Sequence, residues 1–162
     1  MKTKTSSPKK GVSPSKQLAG FIAKFDPKAA KLIRACRAEM RRLLPTAIEL
    51  VYDNYNFFVI GYGPTERASE AIFSIAAAAN GVGLAFLHGA SLPDPHKLLQ
   101  GSGSQNRFIR LPTIEILKSS EVLWLIRAAV KQAKKPFPKA GGGYLVIKSI
   151  SRKQRPRRKD SR

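Results

Sequence analysis

Within seven residues the segment Gly101-Ser102-Gly103-Ser104-Gln105-Asn106-Arg107 supplies two glycines, two hydroxyls and a guanidinium. Glycines let a backbone curl until successive N–H groups face one point, and an arginine fork adds two parallel donors, so the chemistry on offer is capture of a small anion. Arg107, Ser102 and Ser104 are the expected contacts, with a plain turn before a strand as the alternative. The Lys-Ser/Thr ending of a phosphate-binding P-loop is missing, and no helix is expected to follow. Asp53, between Tyr52 and Asn54, is either a ligand-orienting group or general base, or a turn former. His96 would have to approach from another part of the fold. His88 and His96, with Asp94 two residues before the latter, match no zinc spacing, so neither a metal nor a cofactor is expected. Cys36 falls on an apolar helix face, as an inert buried thiol would. Glu66, Arg67 and Glu70 sit in and just after a turn-rich loop, where ion pairing competes with a site role. No residue is assigned as catalytic.

Charge says more about partners. The chain has 162 residues and a formal net charge of +20, from 30 Lys and Arg against 10 Asp and Glu. Such a field attracts polyanions. The first sixteen residues hold five Lys and no acid, and residues 148–162 hold eight cations against Asp160, which leaves the middle near about +8. Lys31, Arg34 and Arg41 on one helix face, with Arg152, Lys153, Arg155, Arg157 and Arg158 in a C-terminal arm, are the expected contacts for nucleic acid, bound through phosphates without sequence readout. One cysteine excludes a disulfide framework, and the basic start lacks the apolar core of a secretory signal, so cytoplasm is the expected location. Residues 71–87 are nearly all apolar, but Asn80-Gly81 inside them signals a hairpin rather than a membrane span.

The elements that position these groups follow from periodicity. Leu18, Phe21, Ile22 and Phe25 predict a helix over residues 15–25. Asp26-Pro27, a cap followed by proline, starts a second over residues 27–44. Strands are predicted at residues 48–52, 57–61, 71–79, 82–87 and 107–111, a helix from Ser119 or Ser120 to about residue 134, and a terminal edge strand at residues 144–150. The expected architecture is α+β: a two-layer domain with a mostly antiparallel sheet and helices packed on one face. Residues 1–16 and 151–162 read as disordered basic tails, 17–135 as the domain, and 136–150 as a linker with the edge strand.

The order Leu44-Pro45, Tyr52-Asp53-Asn54-Tyr55, Gly61-Tyr62-Gly63-Pro64-Thr65-Glu66-Arg67, Gly89-Ala90-Ser91-Leu92-Pro93-Asp94-Pro95 and Gly101-Ser102-Gly103-Ser104 before Arg107-Phe108-Ile109-Arg110-Leu111 resembles the YdhG-like domain family. That family is largely of unknown function. The resemblance implies an α+β domain and a distant likeness to frataxin in fold, with iron delivery as a precedent. Iron favours clustered oxygen donors, whereas ten acids scattered among thirty bases argue against that role. Many members have Lys where Ser104 stands, which weakens an anion role carried over from them. The functional expectation is a non-catalytic binding module for an anionic partner, nucleic acid or a phosphorylated ligand. The alternatives are a small-molecule enzyme with its site at the sheet rim, and an iron chaperone.

Overall fold

A computed structural model describes residues 5–6 and 11–159. The expected tails therefore lie partly outside the described residues. Ser13 caps α1 (Pro14–Ile22), its hydroxyl accepting from the Lys16 N–H at 3.2 Å, so ordered helix begins inside the segment expected as a tail. Asp26 caps α2 (Pro27–Leu43) by accepting from the Ala29 N–H at 2.9 Å, as its Asp-Pro start dictates. Ile33, Cys36 and Met40 line the buried stripe of α2 and are fully enclosed.

Among the described residues seven strands form one sheet: β1 (Thr5–Ser6), β2 (Ile48–Asp53), β3 (Phe58–Gly63), β4 (Phe73–Ala78), β5 (Gly81–Phe86), β6 (Arg107–Arg110) and β7 (Leu145–Ser151). Their order is β1-β7-β2-β3-β4-β5-β6, with every neighbour antiparallel except β7, which runs parallel to β2. A short helix α3 (Ile114–Lys118) precedes α4 (Ser120–Gln132), which Ser119 caps. The expected α+β architecture with a mostly antiparallel sheet is what the chain adopts.

Strand alternation divides the sheet into two faces. Val51, Phe58, Ile60, Phe73, Ile75, Leu84, Phe86 and Ile109 join Leu18, Phe21, Phe25, Ile33, Met40, Leu125 and Ile126 of the helical layer in one continuous core. On the opposite face two rows cross the strands: Tyr52-Val59-Ala76-Gly83-Arg110 and Leu50-Gly61-Ser74-Ala85-Phe108. The centre of this face is floored by small, half-buried residues.

Two elements depart from the sequence expectation. The β4–β5 hairpin turns on Ala79-Asn80, because Ala78 already pairs with Gly81. Gly81 is the residue at positive φ, 141°, so the glycine serves the first strand position rather than the turn tip. Strand β7 is not a free edge but lies between β1 and β2, entering where Gly143 passes Ala47. A Cβ at Gly143 would stand 2.0 Å from the Ala47 carbonyl oxygen, so only glycine admits this approach. The Gly143 N–H donates to Pro45 O at 3.1 Å and the Thr46 hydroxyl to Pro138 O at 2.6 Å, which ties the expected linker to the domain.

Candidate functional site

The C-terminal segment is folded as far as it is described. After Ser151 the chain turns across the ends of β2 and α1, and Arg157 is buried. Its Nη2 donates to Asp53 Oδ1 at 3.0 Å and to Asn54 O at 2.5 Å. Lys24 Nζ reaches the other Asp53 oxygen at 2.6 Å and Gln154 Oε1 at 2.9 Å, and Arg158 Nε donates to Lys24 O at 3.1 Å. Two expectations change. Asp53 has a side chain with no exposure and two cations on its oxygens, so it is a structural anchor, not a rim ligand or base. Arg157 is withdrawn from any nucleic-acid contact by a carboxylate that sequence separation concealed. Arg152, Lys153, Arg155 and Arg158 stay exposed, with the Arg155 guanidinium 5.7 Å from the Tyr55 ring centre.

A second enclosed pair lies under α2. Arg37 grips Glu49 with Nε and Nη2, both at 3.0 Å, while Tyr62 donates its hydroxyl to Glu49 at 3.0 Å. Burial first, then the neighbouring Glu49 charge, pushes the Tyr62 phenol well above its ordinary range. Arg37 thus belongs to the interior side of the helix, and Arg41 leans towards the same carboxylate at 3.8 Å. Lys31 and Arg34 are exposed, as expected. Glu39 binds Arg42 through both oxygens, and that hydrogen bond holds its carboxyl below the usual value against a smaller opposing effect of burial. Cys36 is buried, which pushes its thiol up to about 11.

The Gly101–Arg107 loop is stabilised from within. Arg107 Nη1 donates to Gly103 O and to Asn106 O, the latter at 2.7 Å. The fork therefore closes its own turn, and neither Asp53 nor His96 joins it. Glu115 lies in the first turn of α3. Ser102 and Ser104 are exposed, and so is His96. Asp94 accepts from the N–H groups of Leu98 and Leu99, both at 2.9 Å, and so organises the loop that carries His96.

Two hollows gather side chains that the sequence did not connect. A cavity of about 460 Å³ opens between the end of α4 and the turns Ala68–Glu70 and Gly89–Ser91, with Glu70, His88, Ser91, Gln105 and Gln132 on its walls. Gln132 Nε2 donates to His88 O at 3.1 Å, and Glu70 Oε2 is buried without a hydrogen bond, its nearest cation being Lys135 at 3.7 Å. A groove of about 640 Å³ runs from the start of α2 to Arg110 and Glu115. Lys28, Lys31, Arg110 and Lys159 face it against Asp26 and Glu115, over a floor that includes Leu32 and Val82. Helical spacing revealed the first two of those cations, and Lys159 belongs to the basic C-terminal run; no local pattern pointed to Arg110.

Among the described residues no three His, Cys, Asp or Glu side chains come together as a metal site, and no helix is long and apolar enough to cross a membrane. No family model, curated protein or solved structure matches this chain.

Proposed function

We propose that this protein is a non-catalytic binding module for an anionic polymer, nucleic acid before other polyanions, built on a domain of YdhG-like type and working in the cytoplasm. The observation that carries the reading is the fate of the carboxylates. Glu39, Glu49, Asp53 and Glu70 are held by cations, Glu66 accepts from Tyr144, and Asp26 and Asp94 are occupied by backbone N–H groups. Most of the carboxylates are thereby occupied within the fold, Glu115 and Glu121 staying exposed, while Lys28, Lys31, Arg34, Arg110, Arg152, Lys153 and Lys159 face solvent. A polyanion laid along the groove beside α2 meets Lys28, Lys31, Arg110 and Lys159 and releases its own counterions, a gain that needs no base-specific contact.

The test is affinity for labelled nucleic acid against salt. If about six to ten phosphates are neutralised, affinity falls by about 10³- to 10⁵-fold between about 50 and 200 mM salt, and Lys31→Ala with Arg34→Ala lowers the salt slope by about one for each phosphate no longer neutralised. Affinity indifferent to salt would end this reading. The cavity at Glu70, His88 and Gln132 favours a second one, a small-molecule site at the sheet rim. A metabolite that raises the melting temperature of the parent but not of Gln132→Ala would establish it.

A further inference from the structure

The sheet face away from the helices carries two similar hollows separated by one exposed ring. Phe57 is 49% exposed although it immediately precedes a buried strand, and it borders both hollows. On one side a cavity of about 320 Å³ is floored by Ala76, Gly83 and Ala85 and bounded by Phe108, with the Arg110 guanidinium 6.0 Å from the Phe108 ring centre and Asn80 and Asn106 at the rim. On the other a cavity of about 350 Å³ is bounded by Tyr55 and Val59, with Asn54, Asn56 and Ser149 around it. Arg155 lies against the Tyr55 ring beside it. Each hollow thus has an aromatic wall, an arginine against that wall, and amide side chains that can both donate and accept.

We propose that this face binds single-stranded nucleic acid, with bases stacked on either side of Phe57. The proposal rests on the polyanion reading and deepens it. Every base has a π-face, so aromatic walls accept bases irrespective of sequence, and arginines beside them neutralise the adjoining phosphates. The small floor residues matter because Gly83 and Ala76 at the centre of a cross-strand row leave room for a planar ring to lie flat, where the β-branched residues usual in strands would fill it. Arg110 borders both this face and the groove beside α2, so one strand's backbone can run between them. A duplex is excluded from the stacking part of the site, because its bases are already stacked on each other.

The decisive experiment compares fluorescence anisotropy of a labelled oligo-dT of about 15 nucleotides with a duplex of equal length, at one salt concentration, for the parent, Phe57→Ala, Phe108→Ala and the Lys31→Ala, Arg34→Ala pair. The expected result is tighter binding of the single strand, a roughly 5- to 150-fold loss for each aromatic variant on the single strand alone, and weakening of both probes by the lysine–arginine pair. Photocrosslinking of an iodouracil-bearing strand to the peptide containing Phe57 gives the contact directly. Equal affinity for strand and duplex, or aromatic variants that bind as the parent does, would overturn the stacking face while leaving a salt-sensitive polyanion binder intact. Failure to bind either probe would remove both readings. A dimer by sedimentation that Phe57→Ala dissociates would assign the face to a second copy of the chain and overturn the proposal.

Discussion

The crossing of the C-terminal segment over β2 and the open face around Phe57 are made from similar residue types, cations beside aromatic rings and asparagines, yet they have opposite fates. At the crossing Asp53 stands between Lys24 and Arg157, and a guanidinium is drawn inside. On the open face no carboxylate among the described residues borders either hollow, and Arg110 and Arg155 remain outside. At this end of the sheet a single aspartate therefore decides whether a guanidinium holds the fold or faces solvent. Two guanidinium nitrogens of Arg157, Nε and Nη1, are buried without a hydrogen-bond partner, so even the enclosed arginine is only partly satisfied.

The largest effect expected is at the crossing. Arg157→Ala leaves Asp53 buried with half its counter-charge and should cost about 3–5 kcal/mol by urea unfolding, whereas replacing both partners together, Asp53→Leu with Arg157→Met, should recover most of that loss. A small penalty for the single change would mean that the crossing is no more fixed than the open face. Gly143→Ala comes next. The Ala47 carbonyl must retreat from the new Cβ, and a loss of about 1–3 kcal/mol in the same assay is expected.

Enclosed groups on and beneath α2, outside both regions, add a pH dependence of their own. The Tyr62 phenol is raised in the fold above its ordinary 10.0, so its contribution is complete below that value and is lost as pH rises beyond it. Cys36 adds a loss of the same sign between its ordinary 9.0 and about 11. Stability measured from about pH 9 upward should thus fall more steeply for the parent than for Tyr62→Phe or Cys36→Ala. At the other extreme, Phe57→Ala should change folding stability by no more than about 0.5 kcal/mol, since its ring is half exposed. A larger loss would make Phe57 part of the core and close the comparison.

Local chemistry made much of the fold legible. Asp26-Pro27 fixed the start of α2, alternation found the central strands, and Ser119 capped α4 as its position suggested. What escaped was non-local. The parallel pairing of β7 with β2 leaves no periodic mark, and the cations after Ser151 have the composition of a solvated arm although one of them is drawn to Asp53 across the chain. Helix α3, at five residues, is too short to show a period. Of the candidate site residues, Lys31 and Arg34 were readable from a helical wheel. The open face was not, because Phe57 and Phe108 look in sequence like ordinary core residues of their strands, and only the cross-strand register places Phe108 on the uncovered side.

Asp53 and Arg157 are 104 positions apart, and β2 must hold its place until β7 arrives to run beside it. Closing so long a loop costs chain entropy before any contact offsets it, and parallel pairing of distant strands is the slow kind. The hairpins from β2 to β5 can assemble early from near neighbours, but the flank of β2 then presents unpaired backbone until the far strand docks. Local contacts thus favour early formation of the middle of the sheet, and the strand that ends at Ser151 is expected to dock after it, with Thr5–Ser6 beyond.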